Sequence, residues 1–165
     1  MANNYFLTGE KGIGKSTIIN SFLEEYKGIV GGFRTIKNIS ENGIISFHIV
    51  NIFTSEKPNK DNFLFNRGER SKDVNKSFDK LSVVLDDYNN YDIVVMDELG
   101  PTEEDAKVFK EKVFKILDSK KIVIGVIQKA KSEFLETILK RGDVKVLEIT
   151  RNNRNEIDLN KEIKF

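Results

Sequence analysis

Residues 9 to 16 read Gly-Glu-Lys-Gly-Ile-Gly-Lys-Ser, the string G-x-x-x-x-G-K-[ST], set between a short apolar run and an amphipathic one. Tyr5, Phe6 and Leu7 precede it, and after it Ile18, Ile19, Phe22 and Leu23 recur at helical spacing. The string has meaning only in this order of strand, glycine loop and helix. Glycines let the backbone close around phosphate groups, so that successive N–H groups and the helix N-terminus all face negative charge. Gly9, Glu10, Lys11, Gly12, Ile13, Gly14, Lys15, Ser16 and Thr17 are therefore the expected binding segment for a nucleoside triphosphate. In it Lys15 bridges the terminal phosphates as a catalytic cation, and the Ser16 hydroxyl ligates magnesium.

A magnesium triphosphate site needs a second anchor, which an Asp closing a buried strand supplies. Ile93 to Met96 is apolar without alternation, as in a strand covered on both faces, and it runs into Asp97-Glu98. Asp97 is the expected second metal ligand. Glu98 is the expected catalytic base, because a carboxylate beside the transferring phosphoryl can orient and deprotonate water.

The rest of the chain supplies more strands and helices. From Val30 to Phe53, β-branched and aromatic residues flank Glu41-Asn42-Gly43, and Asn-Gly favours a tight turn. This predicts an antiparallel hairpin inserted after the first helix, spanning about 30–67, with Phe63 to Phe65 as a third, edge strand beyond Pro58. Helices are predicted over Val74 to Tyr88, Ala106 to Leu117 and Glu133 to Leu139, and strands over Ile122 to Ile127 and Val144 to Ile149. Strands alternating with helices imply an α/β fold with a mainly parallel sheet and right-handed crossovers. At 165 residues, one domain covering 1–165 is expected.

Composition adds exclusions. Lys and Arg total 27 against 26 Asp and Glu and alternate with them, which leaves nucleic acid unsupported as a partner. There is no cysteine, hence no disulfide, thiolate metal site or cysteine nucleophile. The start, MANNYFLT, lacks the features of a signal peptide, and no apolar stretch approaches a membrane span; the expected location is the cytoplasm, with no membrane partner. A monomer is slightly favoured.

The chain resembles the small P-loop nucleoside-triphosphatases of bacteria, archaea and animals, the family that includes the cancer-related nucleoside-triphosphatase. The resemblance rests on GEKGIGKST at Gly9 to Thr17, GGFRT at Gly31 to Thr35, DVNKSF at Asp73 to Phe78, DELGPTE at Asp97 to Glu103 and TRNNRN at Thr150 to Asn155. It implies a P-loop three-layer sandwich with helices on both faces of the sheet. It also implies magnesium-dependent hydrolysis of ATP, GTP and other nucleoside triphosphates, and a strand between the phosphate-loop strand and the Asp97 strand. Thr102 stands where the family usually has methionine, Asn155 where it has aspartate, and Glu10-Lys11 replaces a commoner proline-containing start. The segment from Arg151 to Arg154 is implied to lie near the nucleoside.

Two rival readings use the same motifs: a small-molecule or nucleotide kinase, and a slow nucleotide-dependent switch. The tandem Asp97-Glu98 favours water over an acceptor. Arg34, Arg67, Arg70 and Arg154 are candidates for neutralising transition-state charge, each weighed against a plain surface arginine. Glu103 is weighed between support of the site and a helix-dipole partner. His48 is read as a half-exposed strand residue, and Phe33, Phe47 and Phe53 as core or cross-strand aromatics rather than base-stacking ones.

Overall fold

The structure, a computed structural model, describes residues 3–69 and 72–165. It places β1 (Asn4–Gly9), α1 (Lys15–Glu25), β2 (Val30–Ile39), β3 (Ile45–Asn51), β4 (Phe63–Asn66), α2 (Lys72–Leu81), β5 (Ile93–Leu99), α3 (Lys107–Leu117), β6 (Ile122–Ile127), α4 (Glu133–Leu139), β7 (Val144–Ile149) and α5 (Leu159–Glu162) along the chain. Seven strands form one sheet in the order β4-β3-β2-β5-β6-β1-β7. The β1, β5, β6 and β7 strands and the first half of β2 run parallel, whereas β2–β3 and β3–β4 are antiparallel. The β6 strand separates β1 from β5, as the resemblance implied.

Successive strand residues alternate between two cores, as the period of two demands. Phe6, Val94 and Met96 pack with Phe78, Phe109 and Phe134 beneath α2, α3 and α4. Tyr5, Leu7, Ile93 and Val95 pack with Ile19, Phe22 and Leu159 beneath α1 and α5. Each central strand is thus apolar on both faces, which explains its unalternating sequence.

The hairpin is more than an appendage. Val30 to Arg34 pairs in parallel with Ile93 to Asp97, and Phe33 to Ile39 pairs antiparallel with Ile45 to Asn51, so β2 belongs to both sheet halves. Gly32 permits the close approach to β5: its φ is +111°, and a Cβ there would lie 2.0 Å from the Val95 carbonyl oxygen. The turn is wider than a two-residue Asn-Gly loop. Gly43 N–H donates to Ser40 O at 2.9 Å, and Gly43 alone in the turn takes a positive φ, giving a type I turn closed by a left-handed glycine.

Three expectations change at this level. The predicted helix to Tyr88 stops at Leu81 and passes into a 3₁₀ turn over Ser82–Leu85. There Ser82 Oγ donates to Asp79 O at 2.6 Å, offering the backbone an alternative to the helical ladder. His48 is buried at 5% exposure, not half-exposed, because Ser46 Oγ and Asn62 Oδ1 satisfy its ring nitrogens at 2.9 and 2.8 Å. Phe33 is core and Phe47 stacks across strands on Phe65, but Phe53 stands 62% exposed.

Candidate active site

The Gly9–Ser16 loop leaves β1 at its carboxyl end and turns directly into α1. Gly9 is required there: its φ is +141°, and a Cβ would meet the Ile149 carbonyl oxygen of β7 at 2.4 Å. Lys15 opens α1, and its Nζ donates to Gly9 O at 3.0 Å and Glu10 O at 2.7 Å, so the ammonium is folded back over the loop it serves. A cleft of about 600 Å³ is lined by Gly9 to Gly12 and Gly14 to Thr17 of the loop together with Glu98, Gln128 and Lys129. It therefore opens at the carboxyl ends of β1, β5 and β6, where ligands bind in open parallel sheets.

Across that cleft, Ser16 Oγ donates to Asp97 Oδ1 at 3.2 Å. Asp97 is 5% exposed, and its Oδ2 has no hydrogen-bond partner. Burial raises its pKa, which the Ser16 hydrogen bond and the charges of Arg34 and Lys15 partly oppose. Glu98, the next residue, is also raised, mainly by burial, with the charge of Asp97 adding to the effect and Gln128 opposing it. Gln128 Nε2 donates to Glu98 Oε1 at 2.6 Å and so fixes the direction of the carboxylate.

A hard divalent cation fits this corner. The two residues present oxygen donors, one of them a buried carboxylate oxygen with no hydrogen-bond partner, and nitrogen or sulfur donors are absent from the pair. No group of three or more His, Cys, Asp or Glu side chains able to hold a metal occurs among the described residues. Magnesium suits such a sparse set, since it characteristically completes its shell with phosphate oxygens and water.

The other candidates separate. Arg34 lies beside Asp97, Nε to Oδ2 at 3.7 Å, and its Nη2 donates to Asn20 Oδ1. Arg154 and Arg151 line a cavity of about 310 Å³ on the outer side of Lys11, Gly12 and Ile13. Arg67 reaches a different cavity, beyond Glu98, and Arg70 lies outside the described residues. Glu103 closes a 3₁₀ turn after β5, 4% exposed, with Gly100 N–H donating to its Oε1 at 3.2 Å. Burial pushes its pKa up to about 8. Sequence reasoning missed Gln128; the available signal was its place directly after β6, at the end of a buried parallel strand.

A model of a protein family described as NTPase matches residues 4–163. Nucleoside-triphosphatase THEP1 of Thermotoga maritima is 30% identical over 156 residues, which cover 92% of this chain and 88% of that protein. The human cancer-related nucleoside-triphosphatase is 30% identical over 179 residues, covering 95% and 93%. The crystal structure of THEP1 from the hyperthermophile Aquifex aeolicus matches with a TM-score of 0.75 at 22% identity, covering 97% of this chain and 96% of that one, which establishes a shared fold. The chain belongs to this nucleoside-triphosphatase family, the same family that the motifs from Gly9 to Asn155 resemble.

Proposed function

We propose that the protein hydrolyses nucleoside triphosphates to the diphosphate and phosphate in the cleft between the Gly9–Ser16 loop and the ends of β5 and β6. One observation carries the reading: Ser16 and Asp97 meet at 3.2 Å while Glu98 lines the same cleft as the loop. Loop N–H groups and Lys15 hold the phosphates. Glu98, oriented by Gln128, aligns water behind the terminal phosphoryl group and accepts its proton, and burial favours that by raising the carboxylate's proton affinity. Magnesium, held by Ser16 Oγ and Asp97, would supply the charge that neutralises the phosphate oxygens as the anhydride breaks.

Broad base tolerance is part of the proposal. The cavity outside Lys11 and Ile13 offers the side chains of Arg151 and Arg154, and planar guanidinium groups stack on any base without reading its edge. The test is phosphate release from magnesium ATP, GTP, CTP and UTP with no acceptor present. Release from all of them, lost in Glu98→Gln with triphosphate binding retained, supports hydrolysis; no release without an added metabolite would favour a kinase.

A further inference from the structure

A second cavity, of about 260 Å³, lies against the phosphate cleft, and Lys11, Glu98 and Gln128 belong to the walls of both. Its far wall is aromatic: Phe47 of β3 and Phe65 of β4 stack at 4.9 Å, and Phe78 of α2 lies 6.1 Å from Phe65. Thr35 of β2 lies beside Phe47 on the same face of the sheet, and Arg67 and Gly68 together with Thr102 and Glu103, from the turn after β5, complete the lining. A hydrolytic water needs only about 30 Å³. The space is far larger than that and just below the ~300 Å³ at which pockets take drug-sized ligands, so it suits one ring with short substituents and not a nucleotide. Hydrolysis makes no use of Glu103, which is 4% exposed and, with its pKa pushed up to about 8, carries a hydroxyl donor at neutral pH.

We propose that this cavity binds a small hydroxylated ring compound whose hydroxyl Glu98 delivers, in place of water, to the terminal phosphoryl group. The proposal rests on the position of Glu98 in the hydrolytic reading. The ring lies on Phe47 and Phe65, and a ring heteroatom or substituent accepts a hydrogen bond from the Glu103 side. The acceptor's hydroxyl proton passes to Glu98, and its oxygen forms a bond to the γ-phosphorus. The bond from that phosphorus to the bridging oxygen breaks, and the electron pair leaves with the diphosphate. The products are a phosphate monoester and a nucleoside diphosphate.

The experiment is ³¹P NMR of the full-length protein with magnesium ATP and benzyl alcohol or 3-pyridinemethanol, with ethanol at equal concentration as the control. The expected result is an aryl-methyl phosphate in at least about ten-fold excess over ethyl phosphate. Thr35→Phe, which fills the cavity, should lower the ratio of monoester to inorganic phosphate about ten-fold, and a ratio is insensitive to partial loss of folded protein. Inorganic phosphate as the only product with both aromatic alcohols, or ethyl phosphate in equal yield, would overturn the proposal. Monoester formation with no phosphate release in the absence of alcohol would support it while removing hydrolysis. Neither product under any condition would remove both.

Discussion

Ser16 Oγ and Asp97 Oδ1, 81 positions apart in the chain, meet at 3.2 Å where the N-terminus of α1 faces the end of β5. The contact spans β6, so the corner exists only once the parallel sheet has assembled. Asp97→Asn keeps the shape and the hydrogen bond from Ser16 but removes the carboxylate. It should cut turnover on the order of 100-fold and raise the magnesium concentration needed for half-maximal rate. Because burial already disfavours the charged form, the nucleotide-free variant should melt no lower than the parent. Equal magnesium dependence in variant and parent would take Asp97 out of the site.

Gln128 should act through Glu98 alone. Its Nε2 holds Glu98 Oε1 at 2.6 Å and stands in the wall of the cleft beside the Gly9–Ser16 loop. Gln128→Ala should lower kcat about ten-fold with KM unchanged, the pattern of a lost orienting contact. Gln128→Glu would place a second carboxylate against Glu98 and should lower kcat further. A change confined to KM would instead make Gln128 a substrate-binding residue.

The contrast between Asp97 and Gln128 shows what the sequence discloses. Asp97 and Glu98 stand out in the sequence as candidates because they end an apolar run downstream of the Gly9–Ser16 string, a local pattern with a chemical reason, and the fold brings Asp97 to Ser16 and Glu98 to the cleft beside that loop. Gln128 becomes a candidate only through sheet order, which brings the end of β6 beside the end of β5. Strand positions were equally legible where both faces are buried, as in Ile122 to Ile127. They were less so where a strand serves two partners, as in β2. The α5 helix, Leu159–Glu162, is too short to show a period. Contacts between distant segments leave no local signal: Lys121 Nζ donates to Asn89 O and Tyr91 O at 2.7 Å. Arg141 joins Asp118 and Asp143, each at 2.7 Å.

Arg34 and Asp97 invite a double-mutant cycle. Arg34 Nε and Asp97 Oδ2 are both buried without a hydrogen-bond partner and lie 3.7 Å apart. Arg34→Met leaves a buried carboxylate with less compensation and should cost about 1–3 kcal/mol in the nucleotide-free protein. In an Asp97→Asn background the same change should cost at least ~1 kcal/mol less, a coupling measurable by urea denaturation. Additive losses would mean that Arg34 stabilises through packing and its contact with Asn20, not through charge.

Glu103 gives the fold a pH dependence of a definite sign. Its folded pKa is raised to about 8 from an ordinary value of 4.5, chiefly by burial, with the charge of Glu98 adding to it. Between those values the unfolded chain has released the proton while the native protein still holds it. Unfolding therefore releases a proton, and stability falls as pH rises through that window and levels off above about 8. Over the whole window the loss is about 5 kcal/mol, at 1.36 kcal/mol per pKa unit. Glu103→Gln is neutral throughout and keeps an oxygen for the Gly100 N–H, so it should remove this slope. The difference in Tm between variant and parent should be near zero at pH 5 and grow in favour of the variant toward pH 8. A difference that stays constant across that range would show that Glu103 is ionised in the native protein, held so by the backbone hydrogen bonds from Gly100 and Glu103 itself that oppose its burial.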